Sequence, residues 1–208
     1  MLFAQRIWNW CRRFRHRCGY GVHSPSDFFL ITSVMYEKLP YYAYDRLKMS
    51  SATKALPHYR EKVNKLLFRL VNHFRPTTLI EVGEGNGDSI RYMKEACNPM
   101  VSVSLKGLDK EETLRLLKET LKRQGKLDFL HIAFTPYYKE VFEEACLYLH
   151  AESCVVIGDI YASDEKEMWW KRLIADDERV RISFDLYDIG LLRFEEKRFK
   201  QNYIVNFF

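Results

Sequence analysis

One stretch, Thr78-Leu79-Ile80-Glu81-Val82-Gly83-Glu84-Gly85-Asn86-Gly87-Asp88-Ser89, narrows the folds open to this chain more than any other. A short apolar run ends at an acidic residue, three glycines follow at every second position, and residues able to open a helix come next. That order reads as a strand, a tight turn and a helix N-terminus. Glycine in such a turn reaches φ > 0 and lets a ligand approach the backbone without meeting a Cβ. The helix behind it offers unpaired N–H groups and the positive end of its dipole. The spacing is G-x-G-x-G, whereas dinucleotide-binding folds use G-x-G-x-x-G. A purely structural turn has the same appearance, so the remaining sequence must decide its purpose.

The surrounding periodicities place this turn early in an alternating α/β pattern. Val63, Leu66, Leu67, Leu70, Val71 and Phe74 form one helical stripe, which Arg75-Pro76 ends because the residue before proline avoids the α region. Thr78–Val82 is the first strand, followed by a helix from about Asp88 to Ala96. Val101–Leu105 alternates as a second strand, and Lys110 to Gln124 is a charged amphipathic helix closed by Gly125. Leu127–Ala133 is a strand, Lys139–Leu149 a helix, and Ser153–Asp159 an apolar strand of the kind buried on both faces. A helix over 164–175 follows, then three strands: Val180–Leu186, Gly190–Phe194 and Tyr203–Phe208. Such β-α alternation implies a mostly parallel sheet with right-handed crossovers and an antiparallel C-terminal edge. No linker or repeat divides the 208 residues, so the expectation is a single domain. Residues 1–57 would be an N-terminal helical cap and loop, and 58–208 the α/β core.

Within that cap, residues 2–17 read as a basic amphipathic helix. Phe3, Ile7, Trp10 and Phe14 recur at helical intervals among Arg6, Arg12, Arg13, Arg15 and Arg17. A membrane surface or RNA would suit such a helix, but the expectation is that its stripe packs on its own domain. Ser24 is an N-cap with Pro25 at the first helical position, an arrangement that leaves His23 unexplained. Residues 36–57, with Tyr36, Tyr41, Tyr42 and Tyr44, show no period and read as a loop able to cover a site.

The balance of 33 basic and 28 acidic residues permits anionic partners without arguing for nucleic acid. Lysines and acids interleave along the helices, so nucleic acid is not the expected partner. Five cysteines without a C-x-x-C pair suggest four buried thiols plus one spare in a reducing compartment. With no signal-like h-region and no 18-residue apolar run, the expectation is a cytoplasmic protein without a membrane span.

The acidic strand end with G-x-G-x-G resembles motif I of class I S-adenosylmethionine (AdoMet) methyltransferases, and the element order is similar to their Rossmann-like sheet. Collinear segments narrow the likeness: 19–25 (Gly-Tyr-Gly-Val-His-Ser-Pro), 65–71, 81–87, Gly158-Asp159-Ile160-Tyr161-Ala162-Ser163, and 185–190. Together they resemble a Bacteroidetes-type group of AdoMet-dependent methyltransferase-like proteins. The resemblance implies AdoMet as cofactor, with Glu81, Gly83, Gly85, Asn86 and Gly87 around its methionine moiety. A ligand of an open α/β sheet lies at the carboxyl ends of the strands, where this turn sits. A small-molecule acceptor is implied, with Asp159 or His23 as general base if it is a hydroxyl. His131 reads as a residue on a strand face.

Departures from the family pattern are equally specific. The acid that ends its second strand is replaced by Ser104-Leu105-Lys106-Gly107, and Gln124-Gly125-Lys126 runs straight into the next strand. The family's third strand therefore reads as missing. The exposed edge would need a cover, either the N-terminal cap or a second copy of the chain in a homo-oligomer. Ala133 and Gly158 stand where related enzymes carry metal-binding acids. One remaining carboxylate, Asp159, is too few for Mg²⁺, so no metal is expected. The alternative to catalysis is a methyltransferase fold that has lost its cofactor contacts and serves binding or assembly.

Overall fold

The computed structural model describes residues 3–48, 56–97 and 101–207. Eight α-helices and seven strands follow in the order α1 (Phe3–Arg12), α2 (Pro25–Phe29), α3 (Tyr42–Lys48), α4 (Glu61–Phe74), β1 (Thr78–Val82), α5 (Asp88–Ala96), β2 (Val101–Leu105), α6 (Lys110–Gln124), β3 (Phe129–Ile132), α7 (Tyr138–Cys146), β4 (Cys154–Gly158), α8 (Asp164–Asp176), β5 (Ile182–Asp185), β6 (Ile189–Arg193) and β7 (Gln201–Ile204). The strands form one sheet in the order β2-β1-β3-β4-β6-β5-β7. β1 to β4 run parallel, and β6 is antiparallel to both β4 and β5.

Alternation along the strands divides the core in two. Leu79, Phe129, Val156, Phe184 and Leu191 face Leu66, Leu67, Leu70 and Val71 of α4. On the other face Ile80, Leu130, Ile132, Val155, Ile157 and Leu192 meet Leu117 and Leu121 of α6, Phe142 of α7 and Trp170 of α8. Every residue of β1, β3 and β4 is buried, as expected for strands covered by helices on both sides. The breakers act as read. Arg75 caps α4 in the left-handed region (φ 48°) before Pro76, and Gly125 (φ 74°) closes α6 by donating its N–H to Leu121 O. Ser24 accepts the Asp27 N–H at the start of α2.

Among the described residues no strand lies beyond β2, which is the sheet edge. The sheet nevertheless has seven strands, because β7 adds to the opposite side parallel to β5. The C-terminal edge is thus mixed rather than wholly antiparallel. Val101 at the start of β2 is exposed. The first helix of the cap docks at the other side, where Arg13 forms a two-pronged ion pair with Asp185 (2.8 and 3.0 Å) at the end of β5.

Three further expectations are corrected. Tyr42–Lys48 is helical, with Tyr41 and Tyr44 packed on Phe68 (4.9 and 5.1 Å between ring centroids) rather than over the strand ends. Residues 49–55, part of the same predicted loop, lie outside the described residues. The apolar stripe of α1 is turned outward, because the polar flank with Asn9 and Arg13 has better partners in Tyr187 and Asp185. Only Cys154 of the five thiols is buried, and all five are free. No helix among the described residues is long and apolar enough to cross a membrane.

Candidate functional site

The turn after β1 opens at the carboxyl end of the parallel strands. Gly83 takes φ 124° and Gly87 φ 83°. A Cβ on Gly83 would lie 3.1 Å from the Phe134 nitrogen, so the backbone after β3 crosses this turn in contact with it. Three of its N–H groups are engaged. Gly83 donates to Leu105 O (2.9 Å), Glu84 to Phe134 O (2.8 Å) and Asn86 to Pro57 O (3.2 Å). The Asn86 side chain closes the turn on itself by accepting the Asp88 N–H and donating to the Asp88 carboxylate. Beside the turn is a cavity of only about 100 Å³, lined by Gly83, Glu84, Leu105, Gly107, Thr135 and Tyr137. Glu84 reaches across it, and its carboxylate accepts the Gly107 N–H (2.8 Å) just past β2, a strand end without an acid of its own.

Glu81 points into the sheet layer and is buried. Its Oε2 accepts from Ser89 Oγ (2.7 Å) and pairs with His131 Nδ1 (2.8 Å). His131 Nε2 lies 3.2 Å from the Tyr59 hydroxyl. With Nδ1 donating to a carboxylate, Nε2 is left as the acceptor for the tyrosine O–H. Burial, reinforced by Asp159 and Glu81, drives the Tyr59 phenol well above its ordinary range and keeps it protonated. Ser89, Glu81, His131 and Tyr59 thus form one hydrogen-bonded line across β1 and β3. It ends above β4, where a Cβ on Gly158 would fall 1.8 Å from the Tyr59 hydroxyl. Gly158 therefore makes room for Tyr59 in a place where the related pattern has an acid.

A second, larger space opens after β4. About 490 Å³ is bounded by Phe134, Tyr138, Lys139, Asp159, Ser163 and Lys166. Asp159 adopts φ 46°, a conformation that costs a non-glycine residue about 1–3 kcal/mol and tends to be kept at working sites. Its N–H donates to Asp188 O (2.7 Å). Lys166 is buried in the first turn of α8, which Ser163 caps, and its ammonium lies 4.8 Å from the Tyr138 ring centroid. Burial lowers the Lys166 pKa to about 8, with Asp159 opposing the shift. A buried amine of lowered pKa and a carboxylate thus border the same cavity.

His23 is not brought to these groups. It is exposed beside Ser24 and Asp27, which Arg198 holds (2.9, 2.8 and 2.6 Å) in the connection after β6. That connection leaves from the end of β6 paired with Cys154, the start of β4, whereas Asp159 follows the other end of β4. Tyr59 and Lys166 carry no motif and were missed. His131 lies on a strand face as expected, though its partners make it a link rather than filler. The one available hint was Gly158, a glycine inside an otherwise apolar strand, which marks a close approach. No group of three His, Cys, Asp or Glu side chains able to hold a metal occurs among the described residues.

The strand order and the site at the strand ends define a class I methyltransferase-type α/β fold. The O-methyltransferase of Bacillus cereus, solved with S-adenosylhomocysteine (SAH), superposes with a TM-score of 0.55 at 15% identity, over 77% of this chain and 95% of that one. TomG, an O-methyltransferase from Streptomyces achromogenes involved in tomaymycin synthesis and solved with AdoMet, matches with TM-score 0.55 at 17% identity, over 75% and 91%. The MycE methyltransferase of the mycinamycin pathway, in complex with Mg, SAH and mycinamycin VI, matches with TM-score 0.54 at 13% identity, over 74% and 56%. At these identities the likeness establishes the fold alone. No family model matches the sequence, nor does any curated protein.

Proposed function

We propose that this chain is an AdoMet-dependent methyltransferase-like protein for a small-molecule acceptor. Gly83, Gly85, Asn86, Gly87 and Glu81 would be at the cofactor side and Asp159 with Lys166 at the acceptor side. The observation that carries the reading is positional. The glycine turn and the Asp159–Lys166 cavity open at the same end of the sheet with Phe134 between them. Structural neighbours of this fold are crystallised with AdoMet or SAH. In this division Asp159 and Lys166 hold or accept an acceptor proton, and Phe134 and Tyr138 supply apolar walls that exclude water.

Among the described residues, the cavity beside the turn is smaller than the whole cofactor. The cavity beside the turn is about 100 Å³, against roughly 300–1,000 Å³ for sites that take ligands of that size. Pro57 stands on the turn, with its carbonyl taking the Asn86 N–H. AdoMet would have to displace the Leu56–Tyr59 segment. That sealed turn favours a second reading, a methyltransferase fold retained for binding or assembly.

Calorimetry with AdoMet and SAH separates the two. Binding at sub-millimolar ligand, abolished in Gly85→Trp, supports the enzyme reading. A Cβ on Gly85 meets only ordinary contacts, 3.5 Å from Pro57 O and 3.9 Å from Phe134, so the bulk of the indole rather than the backbone is what the substitution tests. Absence of heat at millimolar ligand overturns that reading in favour of the second.

A further inference from the structure

The first helix of this protein is mounted with its polar side inward. Asn9 donates to the Tyr187 hydroxyl (2.7 Å), and Arg13 is held by Asp185 while lying over the Tyr161 and Tyr187 rings at 5.4 and 5.2 Å. The opposite flank is bare: Ile7 is 49% exposed, Trp8 64% and Phe14 51%, with Trp10 also exposed. Helices of water-soluble domains are built the other way round. An outward stripe of this kind needs an apolar occupant.

Charge indicates which one. Residues 1–26 contain five arginines, no lysine and no acid. Removing those five from the 33 basic residues leaves 28, against 28 acidic ones, so the whole net charge of +5 resides in this segment. Arg13 is spent on Asp185, while Arg12, Arg15 and Arg17 are exposed around the stripe. We propose that α1 and the turn following it form a docking surface for an anionic lipid bilayer, with Ile7, Trp8, Trp10 and Phe14 entering the headgroup boundary and Arg12, Arg15 and Arg17 meeting lipid phosphates and carboxylates. Aromatic and aliphatic residues on one face with arginine along its border is the pattern of interfacial helices.

Other occupants fit less well. In a symmetric dimer through this face, the exposed Arg12, Arg15 and Arg17 of each copy would meet without a single acid in the segment to balance them. Single-stranded RNA needs free ring faces to stack on. Here Trp10 and Phe14 pack edge to face at 5.3 Å, and the Arg17 guanidinium lies over both rings, at 5.8 and 5.3 Å. Ile7 offers nothing to stack. The proposal is independent of whether a cofactor binds.

The test uses the full chain with vesicles of phosphatidylcholine alone and of phosphatidylcholine with about a third phosphatidylserine. Co-sedimentation with the anionic vesicles, a blue shift of tryptophan emission and weakening by salt are expected. Trp10→Glu should abolish binding, and Arg15→Gln with Arg17→Gln should weaken it roughly tenfold or more. Since these side chains are exposed, thermal unfolding of the variants should be little changed. Equal binding to neutral vesicles, no binding to anionic vesicles at low salt, a concentration-dependent dimer lost in Trp10→Glu, or preference for single-stranded RNA over vesicles would each overturn the proposal.

Discussion

Two strand-to-helix turns sit at the same end of the sheet and have opposite characters. The turn after β1 is rich in glycine, yet three of its N–H groups are held by Leu105, Phe134 and Pro57 carbonyls and the space beside it is small. The turn after β4 has a single glycine, yet it borders a cavity of about 490 Å³ with a strained aspartate and a buried lysine. The difference teaches that backbone permissiveness and free volume are separate quantities. Glycine allows a close approach without specifying what approaches, and here the chain itself fills the gap. The line from Glu81 through His131 to Tyr59 connects the turns, so perturbing either one tests how far they are coupled.

The sharpest break is expected at Gly158→Ala. The added methyl would occupy the Tyr59 hydroxyl position, and a buried ring cannot move aside cheaply. A loss of about 3 kcal/mol or more is expected in chemical denaturation. Tyr59→Phe in the same chain should recover part of it by removing the overlapping oxygen; a strictly additive pair would show that the two residues do not meet.

Next in size is the pH dependence from Lys166. Its pKa falls from 10.5 to about 8 on folding. Between those values the unfolded chain binds the proton that the folded chain lacks, so stability rises with pH across that window. The gain is on the order of 3 kcal/mol. Below pH about 8 the penalty of the buried amine is fully present. Lys166→Met should flatten this rise while leaving the glycine turn untouched, which denaturation curves at a series of pH values would show. A wild-type profile without the rise would remove Lys166 from the buried pair.

At the other turn, Gly83→Ala imposes a side chain at φ 124° and against the Phe134 backbone, with an expected cost of about 2 kcal/mol. The smallest effect belongs to Glu81→Gln, about 1 kcal/mol, since an amide oxygen still accepts from Ser89 and His131 while the charge is lost. A larger loss for Gln than for Gly83→Ala would mean that the charge, rather than the hydrogen-bond geometry, holds the line together.

Much of the fold was legible because it follows local rules. Strands buried on both faces announce themselves as apolar runs, and Ser24, Arg75-Pro76 and Gly125 mark boundaries through backbone chemistry that needs no neighbours. The site was legible only in part. Glu81 and Asp159 could be placed at strand ends by counting, whereas Tyr59 reaches its place only after α4 has packed on the sheet. Lys166 looks like any other surface lysine in a charged first turn until α7 brings Tyr138 over it. The inverted mounting of α1 was illegible for the same reason. Helical period reveals that an apolar stripe exists, while the choice of inward side was made by Asp185 and Tyr187, far along the chain.

Those long-range anchors have a consequence for how the molecule is assembled. Arg13 finds Asp185 172 positions later, His16 O receives the Asn206 N–H, and the Asn206 side chain donates to Trp10 O across 196 positions. During synthesis the leading helix therefore has no seat until almost everything behind it has been made. It is made before β5 and β7, and the partners that seat it are complete only when those strands have closed the far edge of the sheet.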